Sequence, residues 1–264
     1  MIVTTVYDPS PDTETKARGL AERLAAGFVP RRQFSIARLR SRYGQQPVWI
    51  VSEKELKYVT MNDAVLFFHP STAIIRVKRM LKGESDTVVR LAGIRPGDSV
   101  IDCTAGLASD SIVFSHAAGA EGRVVALESQ LVIGTLISEG LHGYVSDLPE
   151  LNEAMRRVEV CRTPHLEYLL AQPDRSADTV YFDPMFRDPI GESSSMSPLR
   201  GTANDDPLTI EAISQAMRVA RHTVVLKEHR DSTEFARLGF TTVHRTSSKI
   251  AYGVITLDSA ANQT

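Results

Sequence analysis

The chain has 264 residues, 42% hydrophobic and 23% charged, with a net charge of −2; these proportions fit a globular protein with one good core and room for a small extra domain. No run of about 18 apolar residues occurs, so no membrane-spanning helix is expected, and Met1-Ile2-Val3-Thr4-Thr5-Val6 lacks the basic start of a signal peptide. Cys103 and Cys161 make neither a disulfide framework nor a metal-spaced cluster, which points to a reducing cytoplasm and to no metal. The charge is uneven: residues 1–90 hold 15 Lys and Arg against 9 Asp and Glu, and the remainder is acidic. A basic front half suggests contact with a polyanion, although a solvated helix face explains arginines equally well.

Taken in order, Val3–Tyr7 alternates as a strand, and Thr13–Ala26 has helical spacing through Leu20, Leu24 and Ala25. A short strand at Phe28–Arg32 and a basic helix at Ser35–Tyr43 follow, then strands at Val48–Ser52, Leu56–Thr60 and Ala64–Phe68. His69-Pro70 stops the pattern, because proline cannot donate to a ladder, and Ser71 is placed to cap a helix over Thr72–Leu81. Residues 1–70 therefore read as a small α/β subdomain and 71–264 as the main domain. From Asp86 onward strands at Ser99–Cys103, Arg123–Leu127, Val158–Cys161, Thr179–Phe182 and Thr223–Leu226 alternate with helices at Ser109–Ala117, Gln130–Tyr144, His165–Ala171 and Pro207–Val219. That rhythm predicts a parallel sheet covered on both faces. Thr241–Thr246 and Ile250–Leu257 read as a closing antiparallel hairpin. The expected fold is α/β and Rossmann-like: a mostly parallel seven-stranded sheet with a C-terminal hairpin. Gly191–Asp206, with three consecutive serines and no apolar period, reads as a mobile loop.

Two stretches carry chemistry. Asp102-Cys103-Thr104-Ala105-Gly106-Leu107 closes a strand and leads into a helix near Ser109 and Asp110. Small residues let backbone amides approach a ligand, and the helix start favours negative charge. An S-adenosylmethionine tail offers a carboxylate for those amides and an ammonium for Asp102 or Asp110. Glu128 ends the next strand, where an acid can take a ribose diol. The alternatives are that Asp102 caps a turn and that Glu128 is a solvated strand end. A hydride-transfer enzyme would need G-x-G-x-x-G, of which only Gly106 is present. The end of Val158–Cys161 runs through Arg162, Thr163, Pro164 and His165, at the place that faces an adenine ring. His165 reads equally as a polar helix start.

The second stretch is Tyr181-Phe182-Asp183-Pro184-Met185-Phe186. An exocyclic amino nitrogen is a poor nucleophile, because its lone pair is delocalised into the ring. A carboxylate that accepts one of its hydrogens returns density to it, so Asp183, with the Pro184 carbonyl, fits that task. Met185 fits the methyl path and Phe186 a stacking platform, worth roughly 1–3 kcal/mol per base. The alternatives are a strand-ending turn and a core phenylalanine. Lys227 follows a strand and reads as a pocket-mouth or phosphate contact, or as a solvated lysine.

Together these motifs resemble the RsmJ-type methyltransferases, whose loops read D-A-T-A-G-L-G-x-D and Y-L-D-P-M-F-P. The resemblance covers roughly residues 98–230. It implies a class I fold, S-adenosylmethionine as cofactor, and transfer to guanine N2 of small-subunit ribosomal RNA. It also implies cofactor contacts at Ser109, Asp110, Glu128, Ser129, Pro164, His165 and Asp183. Ala108, Ser129 and Arg187 depart from the family pattern, as does the leader through Phe68-His69-Pro70-Ser71. Adenine N6 in RNA or DNA is the nearest alternative target, and a nonenzymatic RNA-binding module the more distant one. RNA contact is expected from Arg31, Arg32, Arg38, Arg40 and Arg42, then Arg76, Lys78, Arg79 and Lys82, with His69 beside them. The oligomeric state is left open, a dimer being one option.

Overall fold

Strand-forming Ile2–Thr5, buried throughout, makes β1. In the computed structural model, which describes residues 1–184 and 207–257, β1 lies second, between β2 and β3, in a five-stranded sheet in the order β2-β1-β3-β4-β5. The other strands are β2 (Gly27–Phe28), β3 (Val48–Val51), β4 (Leu56–Val59) and β5 (Val65–Phe67). β1 is parallel to β2 and β3, and β3, β4 and β5 are antiparallel. Helix α1 (Pro11–Arg23) starts at Ser10, whose hydroxyl accepts from the Thr13 amide, with Pro11 in the first turn. Helix α2 (Ile36–Tyr43) uses Ser35 in the same way. This compact unit comprises residues 1–69 with 135–145. The strand expected at Phe28–Arg32 stops at Phe28, since Pro30 has no N–H and Arg32 adopts φ +46°. Met185, Phe186 and the Gly191–Asp206 stretch lie outside the described residues.

The second unit, residues 70–134, 146–184 and 207–257, has a seven-stranded sheet in the order β11-β12-β10-β9-β6-β7-β8. It contains, in chain order, α3 (Thr72–Leu81), α4 (Thr87–Ala92), β6 (Ser99–Asp102), α5 (Ser109–Ala118), β7 (Arg123–Leu127) and the start of α6 (Leu131–Gly143). After α6 come α7 (Pro149–Arg157), β8 (Val158–Cys161), α8 (His165–Leu170) and β9 (Ala177–Phe182). α9 (Ile210–Val219), β10 (Ala220–His229), α10 (Glu234–Arg237), β11 (Thr242–Arg245) and β12 (Ile250–Thr256) complete it. β8, β7, β6, β9 and β10 are mutually parallel, and β12 runs antiparallel to β10 and β11. The mostly parallel sheet with its closing hairpin is the expected fold.

Alternation along the strands sends side chains to two cores. Ile101, Val180 and Phe182 pack on one face, and Val100 and Tyr181 on the other, with Phe114 of α5 and Val88 and Ala92 of α4. The structure adds α4, α7 and α10, which are absent from the sequence reading. Two are four and six residues long, and α7 shows its period only through Leu151, Ala154 and Met155. β10 runs further than Thr223–Leu226, because β12 continues to pair with it as far as His229. Ser71 stands at the start of α3 with φ +46° and makes no side-chain capping bond there, contrary to expectation.

Candidate active site

Sheet order reverses beside β6: β7 and β8 lie to one side, β9 and β10 to the other. Open α/β sheets bind ligands at the carboxyl ends of strands at such a point. There the two signature stretches meet. Asp102 is in register with Tyr181, the Cys103 amide donates to the Tyr181 carbonyl (2.8 Å), and the Asp183 amide donates to the Thr104 hydroxyl (2.5 Å).

The β6–α5 loop is a tight backbone cradle. Gly106 and Ala108 take φ +51° and +60°, a conformation that costs a residue with a Cβ but turns the chain sharply. The Ala105 amide donates to the Leu127 carbonyl, which anchors the loop to the end of β7. Asp102, 1% exposed, accepts from the Thr104 amide (3.1 Å) and the Ser111 hydroxyl (2.5 Å). Burial pushes its pKa up to about 7. Those bonds hold the loop in place. Leu107 and Ser109 flank the positive-φ residue that opens α5.

Asp110, in the first turn of α5, is the hub. Its Oδ1 accepts from Arg76 Nη1, and its Oδ2 accepts from the Tyr181 hydroxyl (2.8 Å) and Lys227 Nζ (3.2 Å). Burial alone would raise its pKa, but the charges of Lys227 and Arg76 outweigh that and hold it well below the usual carboxylate range. Arg76 also makes a two-pronged pair with Asp86 (2.8 and 2.9 Å), itself the cap of α4. Lys227 Nζ lies 2.7 Å from Asp183 Oδ2. Burial, with the Asp110 charge adding to it, keeps Asp183 above its ordinary pKa despite Lys227. Lys227 stays protonated, because Asp110 and Asp183 overcome its burial.

The remaining walls come from β7 and β8. Glu128 follows β7, accepts from the Gln130 amide (2.8 Å), and has its pKa raised by burial. A methyl group on Gly134 would stand 3.4 Å from Arg162 and 3.7 Å from Glu128, so the start of α6 lies close against this corner. Ser129 lies between Glu128 and α6. Pro164 and His165 begin α8, where the His165 ring meets Phe182 edge-on at 5.7 Å and burial lowers its pKa. Pro184 follows Asp183 at half-burial. Asp102, Thr104, Asp110, Asp183, Arg76 and Lys227 are thus brought together. Arg79 instead pairs with Glu84 at 2.7 Å on the surface. His69 belongs to the other unit, edge-on to Tyr144 at 5.6 Å.

The sequence singles out Asp110 but not the ring of groups around it: it offers Arg76 and Lys227 as substrate contacts, and neither Asp86 nor the Tyr181 hydroxyl as a site group. Asp86 did carry a signal, an acid directly before the helical run Thr87-Val88-Val89.

The residues suit S-adenosylmethionine. Three acids, buried Asp110 and half-buried Glu128 and Asp183, surround an amide-rich loop, a set suited to ribose hydroxyls and a cationic ligand. Arg76 and Lys227 are outnumbered by Asp86, Asp110 and Asp183, which leaves negative charge for a sulfonium and an ammonium.

Comparison with known proteins agrees. The chain is 38% identical to YpiP, an uncharacterised protein of Bacillus subtilis, over 96% of its own length and 98% of that protein. It is 30% identical to the ribosomal RNA small subunit methyltransferase J of Dechloromonas aromatica over 56% of this chain and 61% of that one, so the match spans about three fifths of that relative. A SAM-dependent methyltransferase of Neisseria gonorrhoeae shares the fold over the full length of both chains, at 17% identity and a TM-score of 0.66. The profile of the family described as putative SAM-dependent methyltransferase matches residues 44–249, and this chain belongs to that S-adenosylmethionine-dependent family.

Proposed function

We propose that this enzyme methylates an exocyclic amino nitrogen of a nucleobase in RNA, guanine N2 of small-subunit ribosomal RNA being the target that fits best. The observation that carries the reading is Asp183, a carboxylate at the end of β9 tied through its amide to Thr104 in the β6–α5 loop. When bound, S-adenosylmethionine supplies an electrophilic methyl group. Asp183 would accept a hydrogen bond from one amino N–H of the base, which stays on the nitrogen, and so raise the density on the nitrogen that attacks. The second amino hydrogen becomes acidic once the methyl is attached and leaves to water, so no strong base is needed. Most of the rate gain then comes from alignment. Asp110 and Glu128 would hold the ammonium and ribose ends of the cofactor, and the His165 turn its adenine.

The RNA assignment draws on the likeness to methyltransferase J and on the basic first unit. It places the enzyme in the cytoplasm with ribosomal RNA, and it requires the target base to leave its stack. The test is a tritiated-methyl assay on total RNA from a strain lacking the gene, followed by nucleoside mass spectrometry. The expected product is N2-methylguanosine in small-subunit RNA. N6-methyladenosine would move the reading to adenine, and no label in any RNA would remove it.

A further inference from the structure

Among its described residues the first unit holds two buried arginines that differ in what surrounds them. Arg40, 5% exposed, donates to the carbonyls of Gln46, Val59 and Thr60 and to the carboxylate of Asp63. It braces the fold, and this excludes it from the phosphate-contacting set expected above. Arg31, 7% exposed, has no such acceptors among the described residues: its Nε and Nη1 are shielded from solvent and meet no hydrogen-bond partner there. Its guanidinium carbon lies 4.7 Å from the centre of the Tyr7 ring, a contact that supplies no lone pair. A guanidinium keeps its proton in a protein, so an arginine buried without an acceptor is costly to retain.

Its place in the fold says what the missing acceptor is. β1 and β2 pair in parallel through Ile2–Gly27 and Val3–Phe28, and the Val29 amide continues to Val3. Tyr7 and Arg31 therefore sit just past the carboxyl ends of adjacent parallel strands. In the order β2-β1-β3 the sequence of strands reverses at β1, where open α/β sheets take up ligands. The 13-residue α1 begins at Pro11, four residues after Tyr7 and capped by Ser10, and a helix start favours an anion. Exposed Arg32 adds charge beside it. Of the acids on this stretch, Glu14 pairs with Arg18, and no ion pair joins Arg31 to Asp8 or Asp12 among the described residues.

We propose that Arg31, Tyr7 and the start of α1 form a phosphate-binding site, whose ligand, on the function proposed above, is a phosphodiester of the RNA. Tyr7, 48% exposed, is the cover that the phosphate displaces to reach the guanidinium.

The test uses the full chain, with inorganic phosphate and a short single-stranded RNA as separate probes at matched ionic strength, and S-adenosylhomocysteine as a control. Phosphate and RNA should each raise the Tm of the wild type. Arg31→Met should lose both shifts and bind RNA about tenfold more weakly, with S-adenosylhomocysteine binding unchanged. Without ligand, Arg31→Met should melt at or above the wild type, because an unpaired buried charge is gone; a purely structural arginine would give the opposite sign. Arg31→Lys should retain part of the phosphate shift, and Lys57→Gln, which removes a charge on β4, all of it. A phosphate shift without an RNA response keeps the site and assigns it to a free phosphate group. Absence of both shifts in the wild type, or their survival in Arg31→Met, overturns the proposal. Loss of S-adenosylhomocysteine binding by the wild type would count against the enzymatic reading alone.

Discussion

Lys227 forms a 2.7 Å ion pair with Asp183 and reaches Asp110 from the same nitrogen, 3.2 Å away. One ammonium thus joins the acid assigned to the cofactor and the acid assigned to the base, and each has a different consequence when it is changed.

Asp183→Asn keeps the size of the side chain but presents an amide where a charged acceptor is needed. Methyl transfer should fall by about 10²–10³-fold, while S-adenosylhomocysteine affinity in calorimetry stays near that of the wild type. Wild-type turnover in this variant would remove the mechanism.

Activity should require ionised Asp183, so the rate falls as pH drops through its raised pKa. Lys227→Met takes away the cation that pulls this pKa down, and the acid limb of kcat/KM should therefore move to higher pH. A limb that stays in place would show that another group sets it.

Asp102 makes a prediction about stability. Its pKa rises from 3.8 unfolded to about 7 folded. The folded state therefore holds the proton longer, and the favourable contribution present below pH 3.8 is lost as pH rises toward 7. The loss is at most about 4 kcal/mol. Asp102→Asn does not titrate, so its stability relative to the wild type should increase across this window and level off above it. Urea melts at several pH values measure the difference, and a constant offset would contradict the assignment.

Gly140 in α6 stands where a Cβ would come within 2.1 Å of the Phe68 ring. Gly140→Ala should lower stability by about 1–3 kcal/mol despite alanine's better helix propensity. Gly143, with nothing within 4 Å, is the control: Gly143→Ala should be neutral or stabilising.

The sheet is more legible in the amino-acid order than the site is. Strands at Arg123–Leu127 and Val158–Cys161 have the bounds read from their apolar runs. Helix α10, four residues long, is too short to show a period. At the site, Asp183 and the Thr104–Leu107 loop announce themselves because their chemistry is local: a carboxylate before proline, and small residues after a strand. Arg76, Asp86 and Lys227 come from α3, the start of α4 and β10. Only the tertiary fold gathers them around Asp110, and no spacing in the chain records that meeting.

The closing hairpin has a mechanical consequence. Pairing between β9 and β10 ends at Phe182 and Leu226, so Lys227 lies one step beyond it, held in line by Tyr252 across from it on β12. Sliding β10 by a single residue against β12 would present Leu226 or Glu228 where the ammonium now stands. The reversed strand therefore works as a ruler that selects which side chain meets the two acids.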